Sequence, residues 1–236
     1  QGLIFCRRMK VSTELAKYID HTQLNPHASK AEISKLCDEA KEHNFYAVCV
    51  NPYYVQEAKF QLKGSKVQVA CVVGFPLGAN LTELKVLELN RAINDGADEI
   101  DLVINIGALK NKDLEYVEQE IIECVKAAGD IPVKVIIECD LLTKEEKVAA
   151  TQACIKAGAF MVKTSTGFVK DGKGATVEDV ALMKATIGKN KLGIKASAGI
   201  RDYKKAKELI DAGADRIGTS SGIAILTGAT AGAAAY

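Results

Sequence analysis

The chain has 236 residues, with 31 basic side chains against 30 acidic ones, and 48% of its residues are hydrophobic. This length fits one large domain or two small ones, and the apolar fraction is sufficient for a sizeable core. Because nucleic-acid and membrane-surface binders need a basic excess, the balanced charge predicts neither nucleic acid nor membrane as a partner. An anionic ligand would therefore have to be bound by local groups.

The number and spacing of the histidines and cysteines argue against further classes of site. The three histidines, His21, His27 and His43, are not spaced as a metal-binding pair on one element, so no metal site is expected. The seven cysteines are odd in number and include no C-x-x-C pair, which is typical of reduced thiols. No apolar run approaches the roughly 18 residues that span a bilayer, and the first residues do not form a signal peptide. These features predict a cytoplasmic protein.

Short apolar runs alternate with segments of helical period along the whole chain. Capping boxes predict helix starts at Ser29 with Glu32 and at Thr143 with Glu146. Eight strand–helix units without a linker predict an α/β fold, a single-domain (β/α)8 TIM barrel. The alternative is an open doubly wound sheet, which usually has a Gly-rich loop after its first strand, whereas residues 23–26 (QLNP) contain no glycine. The predicted strands are residues 18–22, 46–51, 67–73, 99–105, 133–139, 160–165, 192–197 and 216–220.

The expected domain organisation has one catalytic domain between two short end segments. Residues 11–226 form the barrel, and residues 1–10 are interpreted as an N-terminal extension or an expression remnant. The small-residue segment 227–236 is expected to be a flexible tail.

Charged residues within the predicted strands require an explanation, because both faces of a parallel barrel strand are buried. Period-two alternation directs the large apolar residues of segment 99–105 outward against the helices. One interpretation of the inward charges is a structural ion-pair network, and this is the interpretation for Lys134, near the start of its strand. The charged side chains that alternation directs into the barrel are Asp101, Lys134, Glu138, Lys163 and Lys195.

Lys163 and Lys195 lie near the C-terminal ends of consecutive predicted strands, where barrel active sites are found. Two lysines held close together repel each other, and burial disfavours the charged form, so both effects lower a lysine pKa. A lysine with a lowered pKa has a free amine near neutral pH and can attack a carbonyl to form a Schiff base. With Asp101 available to move protons, the pattern indicates imine chemistry.

Two loops of small residues follow the last two predicted strands. They are residues 197–201 (SAGIR) and 218–222 (GTSSG), in the places where barrels often hold a phosphate. Small residues let backbone N–H groups approach an anion, and serine hydroxyls add donors. Either loop alone is typical of an ordinary turn, but the two together predict a small phosphorylated metabolite as ligand.

Several motifs, in order over residues 15–225, resemble those of the deoxyribose-phosphate aldolases, which are class I aldolases that form a lysine Schiff base. The motifs that contain the candidate residues are 161–168 (MVKTSTGF), 194–201 (IKASAGIR) and 99–105 (EIDLVIN). The supporting motifs are 19–22 (IDHT), 47–52 (AVCVNP), 72–78 (VVGFPLG) and 216–222 (RIGTSSG).

The resemblance implies a role for each matching residue. Lys163 would be the Schiff-base nucleophile, Lys195 would stay charged and lower the pKa of Lys163, and Asp101 would relay protons with Lys195 and a water. Tyr236 would assist proton transfer if the C-terminus folds into the site, with a frayed terminus as the alternative. Further accessory residues would be Asp20 and Cys49. The phosphate would bind Ser197, Gly199, Gly218, Ser220 and Ser221.

The resemblance also implies an activity, the reversible cleavage of 2-deoxy-D-ribose 5-phosphate to D-glyceraldehyde 3-phosphate and acetaldehyde in deoxyribose phosphate catabolism. It implies no metal or organic cofactor, and a homo-oligomer that is a dimer or a tetramer. Two alternatives are another class I aldolase of sugar phosphates and a barrel that binds a phosphorylated sugar without catalysis. The paired Lys163 and Lys195 argue against the non-catalytic barrel.

Three features depart from the family pattern. Ala198 replaces the usual first glycine of Ser-Gly-Gly, which weakens phosphate binding if that position needs a positive φ. Asp140 follows Cys139 in a segment that more often reads Glu-Thr-Cys, so it adds a carboxylate of unknown use. Residues 169–173 (VKDGK) lengthen the link to Gly-Ala-Thr, and their lysines either assist phosphate binding or belong to a solvated loop.

Overall fold

A computed structural model of the chain describes residues 14–228. Each of eight parallel strands pairs with the next, and the last pairs with the first, so the sheet closes into a barrel. The predicted (β/α)8 TIM barrel is confirmed, and the open doubly wound alternative is wrong. The predicted extension 1–10, Tyr236 and almost all of the predicted tail lie outside the described residues. The strands are β1 Ile19–Gln23, β2 Ala47–Val50, β3 Gln68–Val73, β4 Glu99–Val103, β5 Val133–Ile136, β6 Met161–Lys163, β7 Gly193–Ser197 and β8 Arg216–Thr219.

Helices cover the outside of the barrel. Both predicted capping boxes form, at Ser29 with Glu32 and at Thr143 with Glu146, so the first orphan N–H groups of those helices are satisfied. No helix within residues 14–228 is long and apolar enough to cross a membrane. The helices are α1 Lys30–His43, α2 Val55–Gln61, α3 Thr82–Asn94, α4 Ile106–Lys110, α5 Leu114–Ala128, α6 Lys144–Lys156, α7 Val177–Ile187, α8 Tyr203–Asp211 and α9 Gly222–Thr227.

The two faces of the strands bury different chemistry. Ile100 and Leu102 point outward into the main core, between sheet and helices, and both are fully buried. Inside the barrel a small apolar cluster of Leu24, Cys49, Ala70 and Val72 occupies only part of the space. The remaining interior holds charged side chains, as the period-two alternation predicts.

A buried ion pair on the outer side fixes the end of β4, the strand that carries Asp101. The Lys85 Nζ lies 2.7 Å from the Glu120 carboxylate and donates to the Val103 carbonyl at 2.9 Å. Glu120 also accepts from the Asn105 backbone N–H at 2.8 Å. The two side chains have no exposed area, so the pair links α3 and α5 to the C-terminal end of β4 without solvent competition.

Candidate active site

Asp101 is the centre of a charged cluster inside the barrel. Its Oδ1 accepts from the Lys134 Nζ at 2.8 Å, and its Oδ2 accepts from Lys163 at 2.7 Å and from Lys195 at 2.8 Å. Lys163 and Lys195 are directly opposite each other in the β6–β7 register. The structure therefore brings together the three residues predicted as catalytic, and Lys134 joins them from β5.

A second layer of ion pairs lies beside Asp101. Asp20 accepts from the Lys195 Nζ through one carboxylate oxygen and from Arg216 at 2.9 Å through the other. Glu99 contacts the Arg216 guanidinium at 3.1 Å and the Lys134 Nζ at 2.6 Å. With Asp101 and Glu99 of β4 and the Asp20 carboxylate of β1 at 3.6 Å, Lys134 is held by carboxylates from two strands, which supports its interpretation as a structural residue.

The charges of the cluster do not balance when every group is ionised. Within the described residues, four basic groups from β5 to β8 contact three carboxylates from β1 and β4. Because an unbalanced charge is costly in a buried site, one neutral base would leave the cluster electrically balanced.

The surroundings of Lys163 and Lys195 shift their pKa values in opposite directions. Burial and the positive charge of Lys195 outweigh the attraction of Asp101, so the pKa of Lys163 is lowered. Burial also acts against the charge of Lys195, but Asp101 and Asp20 together raise the pKa of Lys195 above its usual value. Although burial favours its neutral form, three lysines hold the pKa of Asp101 well below its usual range. The arrangement therefore favours the free amine at Lys163, the ammonium at Lys195 and the carboxylate at Asp101.

A solvent-open pocket lies at the C-terminal ends of the strands. Lys163 is the member of the described cluster that lines it, while Asp101 and Lys195 are fully buried. An amine that is both uncharged and accessible to a small molecule can act as a nucleophile. All the residues predicted to bind phosphate also line this pocket: Ser197, Gly199, Gly218, Ser220 and Ser221.

The predicted phosphate residues differ in what they offer an anion. The Ser197 hydroxyl donates to the Ser165 carbonyl at 2.6 Å, and the Ser221 N–H donates to Thr219 at 2.9 Å, so both hydrogens are engaged. At Gly218, an added Cβ would lie 3.0 Å from the Lys195 side chain. A larger residue at this position would therefore require the Lys195 or Ser197 side chain to shift by a few tenths of an ångström.

The departure at Ala198 falls on a position that does need a positive φ. Its φ is 71°, in the left-handed region that glycine adopts freely and alanine does not. The next residue, Gly199, has a φ of 72°. The loop after β7 therefore holds an alanine in an unfavourable conformation at the edge of the pocket.

Glu138, predicted to point into the charged interior, lies apart from the cluster. Strand β5 ends at Ile136, earlier than the predicted residue 139, and Glu138 has a φ of 59°. Its carboxylate instead accepts from the backbone N–H of Thr166 at 3.1 Å and from the hydroxyl of the same residue. Strand alternation fails here because the chain has already turned.

The accessory candidates have different surroundings. Asp20 belongs to the cluster, whereas Cys49 only approaches it, with its Sγ 4.0 Å from the nearer Asp101 oxygen. Burial, followed by the charge of Asp101, raises the pKa of the Cys49 thiol, so that thiol stays protonated. Within residues 14–228, no group of three or more His, Cys, Asp or Glu side chains is placed to hold a metal ion.

Three charged residues of the site were not predicted from the sequence. Glu99 has the same strand parity as Asp101, which was a usable signal. Arg201 lines the pocket and directly follows the small residues of the β7 loop. Arg216 begins the predicted strand 216–220, which was a usable signal, but its contacts depend on the closure of β8 against β1.

These features define the class of protein. A closed β/α barrel with a buried lysine–carboxylate cluster below an open pocket is an arrangement suited to imine-forming enzymes.

The chain belongs to the DeoC/LacD family of aldolases, whose family pattern matches residues 14–235. It is 59% identical to the deoxyribose-phosphate aldolase of Thermococcus kodakarensis over 220 residues, which covers 92% of this chain and 97% of the relative. It is 54% identical to the deoxyribose-phosphate aldolase of Brevibacillus brevis, with 93% and 98% covered. The tetrameric deoxyribose phosphate aldolase of Aeropyrum pernix superposes with a TM-score of 0.85 at 32% identity, covering 94% of this chain and 93% of that one.

Proposed function

We propose that this chain is a deoxyribose-phosphate aldolase, which cleaves 2-deoxy-D-ribose 5-phosphate reversibly to D-glyceraldehyde 3-phosphate and acetaldehyde. The observation that carries the mechanism is that Lys163 lines the pocket with a lowered pKa beside a charged Lys195. The relatives' activity supports the substrate, and the small residues of the β7 and β8 loops suit its phosphate.

The covalent steps begin at the Lys163 Nζ. Its lone pair adds to the C1 aldehyde of the open-chain sugar, and the carbinolamine loses water to give an iminium ion. The C3 hydroxyl then loses its proton as the C2–C3 bond breaks, and the bonding electrons move to the iminium. Glyceraldehyde 3-phosphate leaves, protonation at C2 converts the enamine to an imine, and water releases acetaldehyde and the free lysine.

Asp101 and Lys195 are the proposed proton-transfer groups. Asp101 contacts both lysines through one oxygen, so it can accept a proton on one side while Lys195 retains its own. Asp20 keeps Lys195 charged, because its carboxylate pairs with the same ammonium. The proton relay to substrate includes a water molecule.

The phosphate is proposed to bind in the part of the pocket formed by the β7 and β8 loops. The candidates are Gly199, Gly218, Ser220 and Ser221, with Ser197 forming part of the wall. Arg201 adds a guanidinium to this set, and a charge-assisted bond to phosphate is stronger than a neutral one.

Borohydride trapping tests the role of Lys163. Protein reduced in the presence of acetaldehyde is expected to gain one two-carbon adduct on Lys163, located by peptide mass spectrometry. Lys163→Ala should lose both the adduct and turnover, while Lys204→Ala, at a lysine with 85% exposed side chain, should retain both. An adduct on another lysine would overturn the assignment, and turnover of a ketose phosphate in place of deoxyribose 5-phosphate would overturn the substrate.

Self-association is proposed for the same chain, as a dimer or tetramer. Leu81, Leu84 and Leu87, at the start of α3 and along it, are exposed large apolar side chains, with Leu77 nearby in sequence, and the Aeropyrum pernix relative is tetrameric. Sedimentation of the wild type should give a mass above that of the monomer, and the double change Leu84→Glu with Leu87→Glu should lower it. A wild type that sediments as a monomer would overturn this proposal.

The compartment is proposed to be the reducing cytoplasm. The cysteines within the described residues are free thiols and are buried. Reducing and non-reducing mass measurements on freshly isolated protein should therefore agree, and a disulfide in the native protein would contradict the assignment.

A further inference from the structure

Two of the departures from the family pattern, Asp140 and the lengthened segment 169–173, contact each other in the folded chain. Asp140 lies in the turn Cys139–Leu141, which follows β5, and its carboxylate faces the lengthened segment 169–173. Its Oδ1 accepts from the Lys173 backbone N–H at 2.9 Å, and its Oδ2 accepts from the Gly174 N–H at 2.9 Å. Each carboxylate oxygen therefore accepts from one of two successive backbone amides, those of Lys173 and Gly174, and this pair of bonds is called the clamp below.

The clamped segment packs directly against the β7 loop. The Ala175 N–H donates to the Ala198 carbonyl at 3.0 Å. A Cβ at Gly174 would overlap that same carbonyl, and a Cβ at Gly199 would lie 3.0 Å from the Lys173 carbonyl oxygen. The two backbones thus touch without side chains between them, so a shift of one segment displaces the other.

This contact bears on the strained residue of the pocket. Ala198 has a φ of 71°, which an alanine adopts only when its surroundings hold it there. Its carbonyl is fixed by Ala175, and Ala175 follows the two amides that Asp140 binds. Ala198 and Gly199 both line the pocket, on the side assigned to phosphate.

We propose that Asp140 is a positioning residue for phosphate recognition, which acts by clamping residues 173–174 behind Ala198 and Gly199. The proposal rests on the proposed function and goes beyond it, because it assigns part of the substrate specificity to a residue outside the pocket. Asp140 holds the backbone of the β7 loop in the conformation that receives the phosphate, and it has no part in the chemistry at Lys163.

The test compares a phosphorylated and an unphosphorylated substrate. For Asp140→Ala, the KM for 2-deoxyribose 5-phosphate should rise about tenfold, while kcat changes less than about twofold. The kcat/KM for 2-deoxyribose, which has no phosphate, should equal that of the wild type. Asp171→Asn is the matched control, because it removes a carboxylate charge from the same segment at an exposed position and should change neither substrate.

A second variant separates positioning from general damage. In the Ala198→Gly background the loop adopts a φ of 71° at this position without Cβ strain that its surroundings must hold, so Asp140→Ala should raise KM less than about threefold. If Asp140→Ala folds poorly by circular dichroism, Asp140→Asn keeps one acceptor and should give a smaller rise with the same dependence on phosphate.

Other outcomes overturn the proposal. An unchanged KM, an equal loss for both substrates, or the same KM penalty in both backgrounds would each show that Asp140 does not position the phosphate loop. Failure of the wild type to cleave 2-deoxyribose 5-phosphate would instead reject the proposed function, so the two failures are distinguishable.

Discussion

Lys163 and Lys195 are register partners on β6 and β7, and both donate to the same oxygen of Asp101, at 2.7 and 2.8 Å. Their pKa values nevertheless move in opposite directions, because Lys195 has Asp20 as a second carboxylate partner. The surroundings therefore favour the free amine at Lys163, next to the pocket, and the ammonium at Lys195 behind it, which are the two forms that imine chemistry uses.

Replacing Lys195 by methionine should move the pH profile. Loss of the neighbouring positive charge raises the pKa of Lys163, so the free amine forms only at higher pH. We expect the ascending limb of kcat/KM against pH to move upward, and kcat/KM at neutral pH to fall about tenfold for every pH unit that the limb moves. Lys195→Arg keeps the charge and should leave the limb near its wild-type position, whereas the same limb in both variants would contradict this account.

Replacing Asp101 or Asp20 should lower stability to a similar extent, but the two replacements should have different effects on kcat. Asp101→Asn removes the carboxylate that contacts Lys163, and we expect kcat to fall by about 10²- to 10⁴-fold. Asp20→Asn leaves that contact intact and should reduce kcat much less. Each change removes one carboxylate from a buried cluster that already has more bases than acids, and should lower the free energy of unfolding by about 3–5 kcal/mol, as urea denaturation would measure. Equal kinetic losses would show that Asp101 has only a structural role.

Acid should destabilise the fold through the same carboxylates. The pKa of Asp20 and that of Asp101 are held below the ordinary value by the surrounding lysines, so each carboxylate contributes stability above about pH 4, its unfolded pKa. That contribution is lost as the pH falls below this value, with a slope of about 1.4 kcal/mol per pH unit for each proton taken up on unfolding. Urea titrations between pH 5 and pH 3 should therefore show a steeper decline for the wild type than for Asp20→Asn, and parallel curves would refute the assignment.

Ala198→Gly should stabilise the protein. Glycine adopts the observed φ of 71° without a Cβ clash, so the free energy of unfolding should rise by about 0.5–1 kcal/mol. Gly199→Ala is the matched change in the opposite direction, because it adds a Cβ at the neighbouring positive φ of 72°. That Cβ would lie 3.0 Å from the Lys173 carbonyl oxygen, so the change should destabilise the fold and raise KM. Thermal unfolding with steady-state kinetics measures both, and a destabilised Ala198→Gly would contradict the strain assigned to that position.

The barrel and its inward charges were predictable from the sequence alone. Repeated strand–helix units predicted a closed parallel barrel, and period-two alternation predicted that Asp101, Lys163 and Lys195 point into it. Both are local properties, because successive side chains along a strand point to opposite faces whatever the rest of the chain does. The small residues after β7 and β8 also predicted the pocket from local sequence, because barrel loops at these positions often bind phosphate.

Which residues touch depended on the tertiary structure. Alternation assigns a face but no distance between strands, so the pairing of Asp20 with Lys195 and Arg216 follows only from the closure of β8 against β1. The clamp of Asp140 on residues 173–174 likewise joins two loops whose backbones follow no periodic pattern. The sequence determined which groups enter the barrel, whereas register and loop packing decided which lysine has its pKa lowered and which backbone packs behind the β7 loop.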